Sequence, residues 1–135
     1  MLVLPTALHD QMVAHCLTGL PDEACGLLGG SLETGVVTAC YPTRNLAASA
    51  KLYTVDPKDH LRADRDAEAS GFSIIGVFHS HTHTEAYPSP TDVAQAPDPD
   101  WHYVLVSLRD LQPVVRSYRI VDGSITEEPV QLRSR

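Results

Sequence analysis

Apolar positions along this chain fall into short blocks whose period changes several times, and the changes mark out its elements. Leu8, Met12, Val13, Cys16 and Leu17 recur at helical spacing, the pattern of an amphipathic helix with one face on a core. Thr6 offers that helix an N-cap and Gly19 ends it. After the short connection Pro21-Asp22-Glu23, Ala24 to Leu28 predicts a buried strand closed by Gly29-Gly30, and Val36 to Tyr41 predicts the next. A loop of small residues from Pro42 to Ala50 leads to a strand expected over Leu52 to Val55. Asp56-Pro57 joins an N-cap to a proline at the first helical position and opens a polar helix to about Ser70, where Gly71 stops it. Few apolar residues punctuate this helix, which places it on the surface.

Phe72 to Phe78 is an apolar run of strand length that leads straight into histidines. A short helix near 89 to 97, a strand over Tyr103 to Leu108 and a half-exposed alternating strand over Val114 to Val121 follow. Asp122-Gly123 is a hairpin turn into Ile125 to Val130. Helices interleave with strands early and a hairpin comes late. The expected fold is therefore α/β: a single domain over residues 1–135, with a mixed β-sheet flanked by helices.

Composition narrows the classes of function. Hydrophobic residues make up 43% and charged residues 20%, a globular balance. No apolar run is long enough for a membrane helix, and Met1 to Pro5 lacks the basic region and length of a signal peptide, so a cytoplasmic protein is expected. A net charge of −7 disfavours nucleic-acid binding, which needs a basic face. Cys16, Cys25 and Cys40 form an odd set without C-x-x-C spacing, which argues for buried thiols rather than a disulfide scaffold or a zinc knuckle.

The informative segment runs from His79 to Asp92. Side chains at i and i+2 of an extended segment share a face, so His79 and His81 at a strand end can offer two imidazoles to one metal. Asp92 follows a loop long enough to fold back as a third ligand. Two histidines and a carboxylate leave a fourth tetrahedral position for water, as a catalytic zinc requires. A second reading of the same residues is structural: Ser89-Pro90-Thr91-Asp92 has the cap, proline and acid of a helix start. The two readings are compatible, and Glu23 by itself reads as a solvated turn residue. His83 reads as an exposed loop residue, with an extra ligand or a substrate contact as its alternatives. Glu85 is an alternative base, and His102 reads as structural. H-E-x-x-H and P-C-x-x-C are both absent, which removes the common zincin helix and the zinc deaminases.

Glu23, His79-x-His81, Ser89 and Asp92 together resemble the motif of the JAMM (MPN+) metallopeptidases at every defining position. The segment from Pro21 to Gly30 is similar to that family's as well. The resemblance covers nearly the whole chain and implies a JAMM/MPN, cytidine-deaminase-like fold. It implies one zinc per chain on His79, His81 and Asp92, with Ser89 stabilising the oxyanion and Glu23 as general acid/base. His83 and Glu85 are left as candidates for the shell around the ligands.

Residues 84 to 89, 102 to 107 and 117 to 123 look like bacterial Mec-type hydrolases. That implies a partner: a ubiquitin-like sulfur carrier protein with a C-terminal Gly-Gly, from which cysteine is released. An exposed strand edge beside His81 is the expected seat for such a tail. The alternatives are a generic deubiquitinase-like or carrier-processing peptidase and a non-catalytic MPN-type zinc-binding scaffold. Oligomeric state is left open.

Overall fold

The apolar run that ends on the histidines becomes the central strand. In the computed structural model, which describes residues 1–134, the elements are β1 (Leu2–Pro5), α1 (Thr6–Thr18), β2 (Cys25–Gly30), β3 (Val37–Thr43), α2 (Pro57–Ala69), β4 (Ser73–His81), α3 (Pro90–Ala94), β5 (His102–Ser107), β6 (Val114–Val121), β7 (Ser124–Glu128) and β8 (Val130–Arg133). Arg135, the last residue of the expected 1–135 domain, lies outside the described residues. Six strands form one sheet in the order β3-β2-β4-β5-β6-β7; β4 and β5 run parallel and the other neighbours antiparallel. The mixed sheet is thus as expected. Among the described residues, no helix is long and apolar enough to cross a membrane.

Each face of the sheet has its own core. On one, Met12 and Cys16 of α1 pack with Leu2, Leu4, Leu28, Ile75 and Phe78. On the other, Ala63 and Ala67 of α2 pack with Leu27, Val77, Tyr103 and Leu105. The small buried face of α2 explains why its sequence is so polar: two alanines suffice to seat it. Its start is as expected, with the Asp56 carboxylate accepting from the Lys58 amide, and Gly71 follows its end at φ +85°.

Several local expectations change. Pro5, not Thr6, is the N-cap of α1, and the Thr6 hydroxyl donates instead to the Arg133 carbonyl of β8 at 3.0 Å. Leu17 faces solvent rather than the core. Residues 1–5, read only for what they lack, form β1, which pairs in parallel with β8. The single strand expected over Ile125 to Val130 splits there, because Pro129 has no amide to continue a ladder and its carbonyl accepts from Leu2. The strand expected over Leu52 to Val55 reduces to one bridge, Asn45 to Val55. The Asn45 side chain accepts from the Ala47 and Thr54 amides, which folds the segment into a loop. Beside His81, β5 covers one side of β4, and on the other the β2 ladder ends at the Cys25–His79 pair, so the edge expected there is limited to the last residues of the strand. The edges of the sheet are β3 and β7.

His102 is structural, as its sequence position implied, and its partner comes from far along the chain. Its Nδ1 lies 2.6 Å from Glu128 Oε2, which also accepts from the Ser117 hydroxyl at 2.7 Å, so the carboxylate ties β5, β6 and β7 together. Burial pushes this carboxyl up, but those hydrogen bonds outweigh it and hold it at about 2, below the ordinary 4.5. A depressed folded-state value contributes stability above about pH 4.5 that is lost as pH falls towards 2. Thermal melts between pH 7 and pH 2 should therefore show Glu128→Gln less stable than wild type at pH 7, by about 3 kcal/mol. The gap should close on acidification; a constant gap would mean that the charge contributes nothing.

Candidate metal centre

Register brings the key residues together. Cys25 of β2 stands opposite His79 of β4, and the Ala24 amide and carbonyl bond the Ser80 hydroxyl and amide, each at 2.9 Å. Continuing that antiparallel register by one more residue sets Glu23 opposite His81. The Glu23 backbone is fixed twice, its amide donating to the Ser49 carbonyl at 2.7 Å and its carbonyl accepting from the Asn45 side chain at 2.9 Å. A residue that reads in isolation as a turn acid is in fact 5% exposed.

Asp92 arrives from α3. Ser89 caps that helix and the capping box is complete: the Ser89 hydroxyl accepts from the Asp92 amide, and Asp92 Oδ2 accepts from the Ser89 amide. The capping reading of this segment therefore holds, and it leaves the Asp92 carboxylate available to the ligand reading. The cap aims the carboxylate at β4, where Asp92 Oδ2 lies 2.9 Å from His81 Nε2 and Oδ1 lies 3.2 Å from His79 Nε2. All three residues are buried, and their donor atoms lie within 4.8 Å of one another. Tetrahedral zinc bonds of about 2.0–2.2 Å imply ligand-to-ligand separations of about 3.3–3.6 Å, a few tenths of an ångström wider than the two His–Asp distances.

The hydrogen-bonding state of the ligands also fits a cation. Nδ1 of His81 lies 2.9 Å from the Glu85 carbonyl and donates to it, which commits Nε2 to Asp92 and the centre of the cluster. His79 Nε2 is buried without a hydrogen-bond partner, its 3.2 Å approach to Asp92 being outside hydrogen-bonding geometry. Burial lowers the His79 pKa and keeps the ring neutral, the form that ligates metal. Glu23 Oε1 is likewise buried and unpaired. Burial raises the Glu23 carboxyl to about 7, with His81 opposing and Asp92 reinforcing the shift. A carboxyl near neutrality can both take and return a proton.

Glu23, His81 and Ser89 line one cavity of about 410 Å³, together with Ala50, Lys51, Thr82, His83 and Thr84. His83 is exposed at its rim, with Nδ1 2.8 Å from the Thr82 hydroxyl, and is not among the clustered ligand atoms. The Glu85 side chain is exposed and lines a separate cavity of about 220 Å³ beside Arg109 and Arg116. Its carbonyl, rather than its carboxylate, serves the cluster. The loop between β4 and α3 is held by Ser107 donating to the Thr84 carbonyl at 2.6 Å and by Tyr118 donating to the Ala86 carbonyl. Cys25 bonds the Thr43 hydroxyl and the Arg44 carbonyl, away from the ligand atoms, and burial raises its thiol to about 11.

Tyr53 is the residue that sequence reasoning missed. Its ring stacks on His79 with centroids 4.1 Å apart and an interplanar angle of 19°, which fixes the imidazole's orientation. It arrives on the Asn45-pinned loop, and no local pattern marks it.

Comparison with known proteins agrees with this geometry. Residues 5–121 match the family described as prokaryotic homologs of the JAB domain. The CysO-cysteine peptidase of Mycobacterium tuberculosis is 46% identical over 132 residues, covering 97% of this chain and 90% of its own. The desampylase of Haloferax volcanii is 32% identical over 104 residues, 73% of this chain and 75% of its own. A solution structure of a protein from Desulfitobacterium hafniense superposes with a TM-score of 0.92 at 36% identity, covering 100% of this chain and 94% of the other. The family match and the 46% identity place the chain in the prokaryotic JAB-domain (JAMM/MPN) family.

Proposed function

We propose that this chain is a zinc-dependent amide hydrolase that cleaves after the C-terminal Gly-Gly of a ubiquitin-like sulfur carrier and releases cysteine. The observation that carries the hydrolytic reading is the buried His79–His81–Asp92 cluster with the unpaired Glu23 carboxylate beside it. A metal-storing scaffold needs no such carboxylate, and burying one unpaired is costly. The carrier and the leaving cysteine rest on the similarity to the CysO-cysteine peptidase. The similarity to a desampylase supports the wider class of carrier-protein cleavage.

His79, His81 and Asp92 would hold the ion. When bound, it supplies Lewis acidity and lowers the pKa of water to about 7. Glu23 accepts the proton of the attacking water as its oxygen adds to the carbonyl carbon of the terminal glycine. The Ser89 hydroxyl oxygen accepts from the Asp92 amide, so its own hydrogen is free to donate into the cavity, where it stabilises the developing oxyanion. Glu23 then returns the proton to the nitrogen as the C–N bond breaks. The carrier leaves with a carboxylate and cysteine with a free amine. Tyr53 keeps the His79 ring in place throughout.

The test is an assay of zinc-loaded protein on a carrier–cysteine adduct. Cysteine should appear in step with a carrier ending in Gly-Gly carboxylate. Cleavage of other Gly-Gly conjugates without cysteine release would point to the wider peptidase reading.

A further inference from the structure

The cavity that holds the reacting groups is lined by one acid, two histidines and small residues besides Lys51. Glu23 lines it, and Asp92 lies against His81 beneath it, in a chain of net charge −7. Among the described residues lining that cavity, Lys51 is the one Lys or Arg. Its placement is built by the same contacts that build the site. Ser49 accepts the Glu23 amide through its carbonyl and the Lys51 amide through its hydroxyl, and the Ala50 carbonyl accepts from the Thr82 hydroxyl next to His81. The loop bearing Lys51 is therefore fastened at once to Glu23, two residues before β2, and to Thr82, the residue after β4. Its side chain is exposed and free to meet an incoming group.

An amino acid joined through its α-nitrogen brings a free carboxylate two bonds from the scissile nitrogen. A bound divalent ion would offset Asp92 and the attacking hydroxide, which leaves Glu23 as the like charge such a group meets unless a side-chain cation receives it. An isopeptide to a lysine side chain puts no carboxylate there. We propose that Lys51 is a specificity-determining residue that binds the α-carboxylate of the leaving amino acid, selecting single-residue adducts over side-chain conjugates. The inference rests on the hydrolytic reading of this cavity and deepens it by naming the leaving-group chemistry.

Two peptides test it: one ending in Gly-Gly-Cys with a free carboxylate, the other with the same end as a carboxamide. With zinc-loaded protein, Lys51→Ala should lower kcat/KM for the carboxylate peptide about tenfold and leave the carboxamide unchanged. The loss should sit mainly in KM, and high salt should shrink it. Equal losses on both peptides, or none on either, would overturn the assignment. Binding of the same peptides to Glu23→Gln, with and without Lys51→Ala, reads the preference without turnover. A Lys51-dependent preference in binding with no cleavage by wild type would uphold Lys51 and refute the hydrolysis; no preference in binding would refute Lys51 even where cleavage proceeds.

Discussion

Glu23→Gln should abolish hydrolysis while the protein keeps its metal. The amide is the same size as the carboxylate but cannot take a proton from water and hand it on, so kcat should fall by ~10³-fold, within the range usual for a general acid/base. Metal content should not change, because Glu23 is not among the clustered ligand atoms. Stability should hold or rise, since the substitution replaces a buried ionisable carboxyl, whose Oε1 has no partner, with a neutral amide. Turnover at pH 7, zinc per chain and the thermal midpoint, measured on one preparation, check all three. Turnover within tenfold of wild type would move the proton-transfer role elsewhere. Glu85 would inherit it poorly, since its carboxylate opens on a different cavity.

Asp92→Asn should do the opposite, losing the metal and activity with it. The change keeps a side-chain oxygen able to accept from the Ser89 amide, so α3 stays capped, but it removes the charge that two histidines and the ion share. Loss of groups that merely orient ligands already costs 10–100-fold in metal affinity, and loss of an anionic ligand should cost at least ~100-fold. Zinc content after dialysis should drop from one per chain to a small fraction, with circular dichroism unchanged. Retention of stoichiometric zinc would remove Asp92 from the ligand set.

The contrast between these two residues also marks what the sequence could reveal. His79 and His81 were legible because strand periodicity is local: two residues apart at the end of an apolar run, they had to share a face. Asp92 was legible for a different reason, a capping signal that fixed its position whether or not it binds metal. Glu23 carries no local signal at all. Its burial comes from an antiparallel register between β2 and β4, and in the sequence only the resemblance of the whole motif to a known family points to it. Tyr53 and the Glu128 partner of His102 are similarly non-local, and neither belongs to that motif.

The fold divides along the same line. β6 and the start of α2 follow their patterns because alternation and an Asp-Pro cap act within a few residues. β1 has no local signature because four apolar residues ending in proline make a strand only when a distant partner exists, and that partner is β8 at the far end of the chain. The strand expected over Leu52 to Val55 failed because Asn45, outside the segment, claims the amide of Thr54. Long-range pairing created one element and a single side chain removed another.

Anomalous diffraction at the zinc edge, from crystals of the zinc-loaded protein, reads the ligand set itself. One peak per chain is predicted, bonded by His79 Nε2, His81 Nε2 and an Asp92 carboxylate oxygen at about 2.0–2.2 Å, with the Glu23 carboxylate nearby but uncoordinated. No peak at that cluster, or a peak held by other residues, would mean that His79, His81 and Asp92 do not form the metal site.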